Sequence, residues 1–163
     1  MQVEKIVINA SPFILLAKSG FIELLPQLFS EIWMPESVSI EIINGGDIAT
    51  EKLYDCEETW LIRCLVNHAD EVKVWNLGDG ETEVLSWALN NKNQYRAVID
   101  DRAARNCAKT LGISMLGTGG ILVLAKRRGL IDSVSEALKK LQDAGLYISE
   151  DIIDLLKRQA GEK

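Results

Sequence analysis

The sequence predicts an α/β domain, with a three-layer α/β/α sandwich built around a central, mainly parallel sheet. Short apolar runs rich in β-branched residues alternate along the chain with longer stretches of helical periodicity. Gly, Pro, Asn or Asp bound most of these segments, as expected at the ends of strands and helices. The chain has 163 residues, 47% of them hydrophobic and 26% charged, which suffices to bury the core of one domain over residues 1–163.

The first predicted unit is a strand followed by a helix. Residues 3–8 are short, apolar and β-branched, and they end at Asn9, which indicates a buried strand. Ser11 and Pro12 then predict a helix, with Ser11 as its N-cap and Pro12 in its first turn. Gly20 is expected to end this helix.

A second unit of the same kind follows. Residues 21–29 predict a short helix that Pro26 breaks or shifts. Residues 32–34 predict a strand that Pro35 stops, and residues 36–43 predict a helix ended by two glycines. Residues 47–70 are mostly polar and give only a weak indication of helix.

The remaining elements continue the alternation. The expected strands cover residues 72–75, 96–99 and 113–116. The expected helices cover residues 81–90, 102–111, 121–128, 133–144 and 149–160. Because buried strands alternate with helices, the sheet should be parallel, with strands 3–8, 96–99 and 113–116 as neighbours.

Histidine and cysteine usage excludes several kinds of catalytic site. His68 is the only histidine and stands in a polar stretch, so a surface side chain is expected. Cys56, Cys64 and Cys107 are widely spaced and form no CxxC, which excludes a zinc site of closely spaced ligands and indicates a reducing compartment. No standard glycine-rich phosphate loop is present. Carboxylates remain, and they suit magnesium or manganese.

The same features predict a cytoplasmic protein that does not contact a membrane. No apolar run approaches the roughly 20 residues that span a bilayer. The first residues lack the basic and apolar regions of a secretory signal.

Charge is distributed unevenly along the chain. The net charge is −6 overall, but residues 1–95 carry 15 acidic and 6 basic side chains, whereas residues 96–163 carry 9 acidic and 12 basic ones. Within residues 96–128, seven basic side chains stand against Asp100 and Asp101. Such a local basic face is sufficient for phosphate contacts, although a solvated helix face would show the same pattern.

Acidic and amide side chains stand at predicted strand ends and on apolar helix sides. Asn9 follows the first strand, and Asp100 and Asp101 follow the strand at 96–99. Glu81 shares the side of its helix that carries residues 84, 85 and 88, and Glu41 lies among apolar residues. Ligands of open parallel sheets bind beyond the carboxyl ends of the strands, so these side chains are candidates for one site.

Each candidate also has a structural explanation. Asp100 or Asp101 would serve as the N-cap of the next helix. Glu81 and Glu83 would offset the helix dipole in a first turn. Asn9 would shape the turn before the first helix, and Glu41 would be a solvated helix residue.

Five segments in order resemble the PIN-domain family. Residues 7–18 resemble its opening, in which a strand ends in Asp and Ser/Thr-Pro-Leu follows. Residues 34–41 resemble a second motif of proline, valine and then glutamate, and residues 80–88 and 97–105 resemble the third and fourth acidic motifs. Residues 113–129 resemble a stretch typical of a subgroup of unknown function, described as PIN-like and predicted to bind nucleic acid.

This resemblance implies a ribonuclease that depends on Mg²⁺ or Mn²⁺ and acts by metal-assisted hydrolysis. Many relatives are toxins of toxin–antitoxin pairs, so RNA, an antitoxin protein and a second copy in a homodimer are the implied partners. The metal and catalytic positions it implies are Asn9, Glu41, Glu81 and Asp101, with Asp100 as the alternative to Asp101. Candidates for contact with nucleic acid are Ser11, Arg102, Arg105 and Thr118. A homodimer is also expected from the apolar surplus of Leu24, Leu25, Leu28 and Trp33.

The chain departs from the family at one position, where Asn9 replaces the first aspartate. An amide oxygen binds a metal but adds no charge, so the cation affinity should fall. A second hypothesis is therefore a catalytically weakened PIN-like protein that binds RNA or a protein partner. A third hypothesis, a phosphohydrolase for small phosphates, needs a nucleophilic Asp at the first strand end, and Asn9 cannot act as one.

Overall fold

A five-stranded parallel sheet forms the centre of the computed structural model, which describes residues 4–92 and 94–163. The strand order is β3-β2-β1-β4-β5, and every neighbouring pair is parallel. The predicted α/β class is therefore confirmed, and β1, β4 and β5 are neighbours as expected. The strands are β1 Lys5–Ile8, β2 Glu31–Pro35, β3 Leu61–Cys64, β4 Tyr95–Val98 and β5 Met115–Leu116.

Helices surround this sheet. They are α1 Ala10–Ser19, α2 Leu24–Leu28, α3 Glu36–Gly45, α4 Ile48–Glu57, α5 Asp70–Lys73, α6 Asp79–Asn90, α7 Arg102–Thr110, α8 Thr118–Arg127, α9 Val134–Asp143 and α10 Glu150–Gln159. None of the helices in the described ranges is long and apolar enough to cross a bilayer.

The central strand β1 is buried on both faces. Ile6, Val7 and Ile8 are each 0% exposed. Because consecutive side chains of a strand point to opposite faces, burial of all three means that helices cover both faces of the sheet. This explains why β1 is a continuous apolar run in the sequence rather than an alternating one.

Helix α1 begins two residues earlier than predicted. Its N-cap is Asn9, whose backbone is extended at φ −84° and ψ 167°, and the helix starts at Ala10. The assignment of Ser11 as the N-cap is therefore wrong, and Ser11 is an exposed residue of the first turn. Proline is tolerated where its missing N–H would have no helical partner, so Pro12 does not fix the cap at the residue before it.

Between residues 47 and 75 the structure differs most from the predicted secondary structure. This stretch contains α4, which Asp47 caps by accepting a hydrogen bond from the N–H of Ala49 at 2.9 Å, and the edge strand β3. The predicted strand at 72–75 is wrong, because residues 70–73 form the short helix α5. Asp70 and Glu71 lie in its first turn, where their charges favour a helix, and Val72 is its buried residue.

Helix α8 begins at Thr118, three residues before the predicted start. Its first turn includes Gly119 and Gly120, which precede the predicted helix of residues 121–128. A Cβ atom at Gly119 would lie 2.5 Å from Cδ1 of Leu156, so the absence of a side chain lets α10 pack closely on α8.

The apolar residues that suggested a homodimer pack inside the chain. Leu24, Leu25 and Leu28 are buried, with 0 to 6% of each exposed. The indole of Trp33 stacks on that of Trp87, with ring centroids 5.2 Å apart and planes inclined by 29°. The edge of Tyr95 completes this aromatic cluster. The three leucines therefore add no exposed apolar surface, and Trp33 packs against the core.

The carboxylate of Glu162 forms hydrogen bonds with the first residues of α9. It accepts hydrogen bonds from the N–H groups of Val134 and Ser135 at 2.6 and 3.1 Å, and from the Ser135 hydroxyl at 3.0 Å. The Lys126 ammonium donates to it at 3.0 Å. Burial alone would raise the pKa of Glu162, but these donors lower it to about 2.

We expect Glu162→Gln to destabilise the protein at neutral pH and to remove part of its acid sensitivity. The folded-state pKa lies below the ordinary value of 4.5, so the carboxylate's stabilisation is present above pH 4.5 and is lost as the pH falls towards 2. Thermal unfolding measured from pH 7 down to pH 2 tests this. Glu58→Gln, at an exposed position after α4, is the matched control. Parallel pH profiles for the wild type and Glu162→Gln would contradict the prediction.

Candidate functional site

Neighbouring strands deliver Asn9 and Asp100 to the same edge of the sheet. Ile8 pairs with Val98, and the N–H of Asn9 donates to the carbonyl oxygen of Val98 at 3.1 Å. The ladder between β1 and β4 therefore continues to Asn9, and Asp100 follows Val98 by two residues. Both positions lie at the carboxyl edge, where parallel sheets bind ligands.

The Asn9 side chain faces the first turn of α6. Asn9 is 4% exposed and makes no side-chain capping bond to α1. A Cβ atom at Gly80 would lie 3.2 Å from Oδ1 of Asn9 and 3.3 Å from Cγ2 of Val38. Gly80 thus allows α6 and α3 to approach the amide closely, and any larger residue there would press on Asn9.

Glu41 of α3 lies close enough to Glu81 of α6 to feel its negative charge. Partial burial raises the pKa of the Glu41 carboxyl, and the negative charge of Glu81 raises it further. Glu41 is exposed and Glu81 is half-buried, so neither lies within the core as the apolar spacing suggested. Two like charges held together at a sheet edge favour a cation between them.

The two consecutive aspartates after β4 have different surroundings. Asp100 accepts a hydrogen bond from the N–H of Thr118 at 2.8 Å and one from its hydroxyl at 2.5 Å. Asp101 is exposed and caps α7, since its Oδ2 accepts from the N–H of Ala104 at 2.9 Å. The capping role considered for this pair thus belongs to Asp101, and Asp100 holds the start of α8 against the end of β4.

The four candidates for contact with nucleic acid occupy different environments. Thr118 is 0% exposed, and its hydroxyl is committed to Asp100. Ser11 and Arg102 are exposed, and Arg105 is half-buried, with Nη1 donating to the carbonyl oxygen of Ile99 at 3.1 Å. Arg102 and Arg105 both follow Asp101 on α7, so they lie beside the carboxyl edge.

Sequence reasoning missed a buried carboxylate at Glu83. This residue is 6% exposed, and it accepts hydrogen bonds from the N–H of Ser37 at 3.1 Å and from the Ser37 hydroxyl. Nε2 of His68 lies 3.0 Å from its Oε2. The expectation that Glu83 only offsets a helix dipole is therefore wrong, and His68, expected at the surface, is partly buried against Glu83. The lone histidine was the available signal, but its partner is 15 residues away and no spacing connects them.

The donor set at the carboxyl edge fits a hard divalent cation. Its side chains offer carboxylate oxygens at Glu41, Glu81, Asp100 and Asp101 and an amide oxygen at Asn9, and such oxygens are the ligands that Mg²⁺ and Mn²⁺ prefer. The mutual repulsion of Glu41 and Glu81 would be relieved by a bound cation. Within residues 4–92 and 94–163, no three His, Cys, Asp or Glu side chains are already gathered around one point as a metal cage.

Comparisons with known proteins agree with the resemblance seen in the sequence. A family model described as a PIN domain matches residues 5–162. The chain is similar to the solved structure of a PilT N-terminus domain protein from the hyperthermophilic archaeon Sulfolobus solfataricus P2. That match has 16% identity and a TM-score of 0.48, and it covers 90% of this chain and 98% of the other. No curated protein matches.

We expect Glu81→Gln to lower the pKa of Glu41 towards its ordinary value. The substitution keeps the shape of the side chain and removes the negative charge that disfavours ionisation of Glu41. Carbon-detected NMR titration of the side-chain carboxyl groups in metal-free protein measures the shift. Glu58→Gln, which lies before β3 at the opposite edge of the sheet, should leave Glu41 unchanged. A Glu41 pKa that does not respond to Glu81→Gln would show that the two carboxylates are not close.

Proposed function

Because the chain belongs to the PIN-domain family, whose members are in general nucleases that depend on divalent metal ions, we propose that it is a ribonuclease that uses Mg²⁺ or Mn²⁺. The observation that carries this proposal is the carboxyl edge, where Asn9 lies against the first turn of α6 and the charge of Glu81 reaches Glu41. A single domain over residues 1–163, with RNA as the substrate, is part of the proposal.

The proposed ligands are Asn9, Glu41, Glu81 and Asp101. The capping bond of Asp101 uses Oδ2 of an exposed carboxylate, so its other oxygen is available to a cation. Asp100 has both oxygens bound by Thr118, which suits it to hold Gly117 and Thr118 in place. Asp100 remains the alternative ligand, since a carboxylate oxygen that accepts one hydrogen bond has a second lone pair.

In the proposed reaction, the carboxylate and amide oxygens at the carboxyl edge would hold the divalent cation and accept hydrogen bonds from the attacking water near the end of β4. A bound divalent cation would supply positive charge for the phosphate and lower the pKa of the attacking water. Partial burial and the nearby charge of Glu81 raise the pKa of Glu41, so among these carboxylates it is the one we assign to proton transfer. Arg102 and Arg105 would contact phosphates of the same RNA strand.

A toxin role with an antitoxin partner, and assembly as a homodimer, extend the proposal. Both rest on the family, since the leucines that suggested dimerisation are buried. Large apolar side chains are exposed elsewhere, at Leu65 and Val74 with 84% and 75% exposure, and a second chain would cover such surface favourably.

A catalytically weakened RNA-binding or protein-binding protein is the second candidate. Asn9 favours it, because this buried amide supplies no negative charge where the family has aspartate. The ribonuclease and the non-catalytic binding protein share the same fold, so the affinity of the site for a cation distinguishes them.

We expect RNA cleavage that requires manganese or magnesium and that Glu81→Gln or Asp101→Asn abolishes. Losing one anionic ligand should remove several kcal/mol of charge stabilisation, or roughly 100-fold or more in rate. Asparagine caps helices about as well as aspartate, so Asp101→Asn separates metal binding from the capping of α7. Labelled mixed RNAs, incubated with manganese or with a chelator, give the readout, and Glu58→Gln is the control. Cleavage that persists in chelator, or in both variants, would refute the proposal.

We expect Asn9→Asp to bind manganese more tightly than the wild type. The substitution places an anionic oxygen where a neutral one stands, and it changes no side-chain length. Titration calorimetry on the two proteins measures the difference. Equal affinities would mean that residue 9 does not face the cation. If metal binds and neither protein cleaves RNA, the non-catalytic function is the correct one.

A further inference from the structure

A groove of about 970 Å³ opens beside the candidate site. It is lined by residues of α7, β5, the start of α8, the loop at 146–149 and α10, and Asp100 lies on its wall. Its volume is at the upper end of the roughly 300–1,000 Å³ typical of small-ligand sites. Its apolar lining includes Met115, Leu116, Ile148, Ile152, Leu155 and Leu156. A surface of this kind suits the flat, largely apolar face of a nucleobase.

Two guanidiniums against the one carboxylate of Asp100 give the groove lining a net positive charge, which favours phosphate. Arg102 and Arg105 lie on its α7 side, whereas the residues that α10 contributes, such as Gln159, are uncharged. Arg105 uses one N–H for the carbonyl oxygen of Ile99, which orients its guanidinium and leaves other donors for a ligand. Among the described residues, neither guanidinium takes part in an ion pair, in contrast to Arg63, which is paired with Glu36 and Glu57.

Tyr147 stands at the groove as a fully exposed aromatic side chain. It lies in the loop between α9 and α10, directly after Gly145 and Leu146, and it is 102% exposed. A tyrosine that contacts none of its own core still presents a ring face, and single-stranded nucleic acids stack their bases on such rings.

Resting on the proposed ribonuclease function, we propose that this groove binds single-stranded RNA, with one base stacked on Tyr147 and the flanking phosphates at Arg102 and Arg105. An apolar peptide would also fit the apolar lining. RNA is favoured because the two guanidiniums have no carboxylate partner in the described chain and because the groove continues to Asp100 at the carboxyl edge.

Binding measured without catalysis tests the groove separately from the nuclease. The probe is a dye-labelled single-stranded RNA of mixed sequence and about 12 nucleotides, within the range covered by single-strand sites, in buffer with chelator. We expect Tyr147→Ala to weaken binding roughly 5- to 150-fold, the effect of losing one stacked base. Tyr147→Phe keeps the ring and should bind like the wild type. Tyr54→Ala, at a half-exposed tyrosine of α4, is the control.

Two further readouts locate the RNA. Arg102→Ala should reduce the slope of log affinity against log salt by about 0.7, the value for one lost phosphate contact on a single strand. RNA that carries 5-iodouridine should cross-link on irradiation to Tyr147, and peptide mass spectrometry identifies the modified residue. A cross-link confined to residues outside the groove would overturn the proposal.

The outcomes separate this inference from the proposed function. RNA that binds through Tyr147 but is never cleaved supports the groove and refutes the ribonuclease. Cleavage with equal RNA affinity in Tyr147→Ala and Tyr54→Ala overturns the groove and leaves the ribonuclease standing. No detectable RNA binding by the wild type overturns the groove as an RNA site.

Discussion

The candidate site depends on the parallel pairing of β1 with β4. The N–H of Asn9 extends this ladder by one hydrogen bond to Val98, so the residues that follow the two strands leave the sheet side by side. A slip of one residue would exchange the side chains that pack on the two buried faces of β1 and would break the hydrogen bond from Asn9 to Val98. Glu41 and Glu81 are then brought to the same edge by α3 and α6, which pack against each other and can do so closely because Gly80 lacks a side chain.

The carboxylates near this edge divide into those satisfied by the chain and those open to a ligand. Glu83 is the most deeply buried, and Ser37 and His68 occupy its oxygens. A buried carboxylate without partners is too costly to persist, so deep burial marks a structural role here. Glu41, Glu81 and Asp101 are more exposed, and exposure leaves them able to exchange water for a cation. Burial on an apolar helix side is therefore a poor marker of function in this chain.

The sequence was sufficient to predict the fold class and the strand ends that carry the candidate residues, because both follow from local patterns. The alternation of apolar strands and periodic helices predicted the parallel sheet, and the two aspartates after the strand at 96–99 predicted an N-cap without deciding which of them it is. The sequence analysis missed β3 because it is an edge strand, paired only with β2. Only Leu61 of this strand is buried, so its apolar pattern is weak. The Glu83 cluster joins residues 37, 68 and 83, and the groove joins α7 to α10. Contacts between distant segments leave no periodicity in a single sequence, so neither was predictable.

The stacked indoles of Trp33 and Trp87 give the protein a spectroscopic signal that depends on the position of α6. Trp33 belongs to β2 and Trp87 to α6, so their separation of 5.2 Å reports how the helix that carries Glu81 sits on the sheet. Electronic transitions of two aromatic rings so close together couple, and the resulting pair of opposite-signed circular dichroism bands depends steeply on ring distance and angle. A displacement of α6 would thus be visible without a label, as a change in these bands.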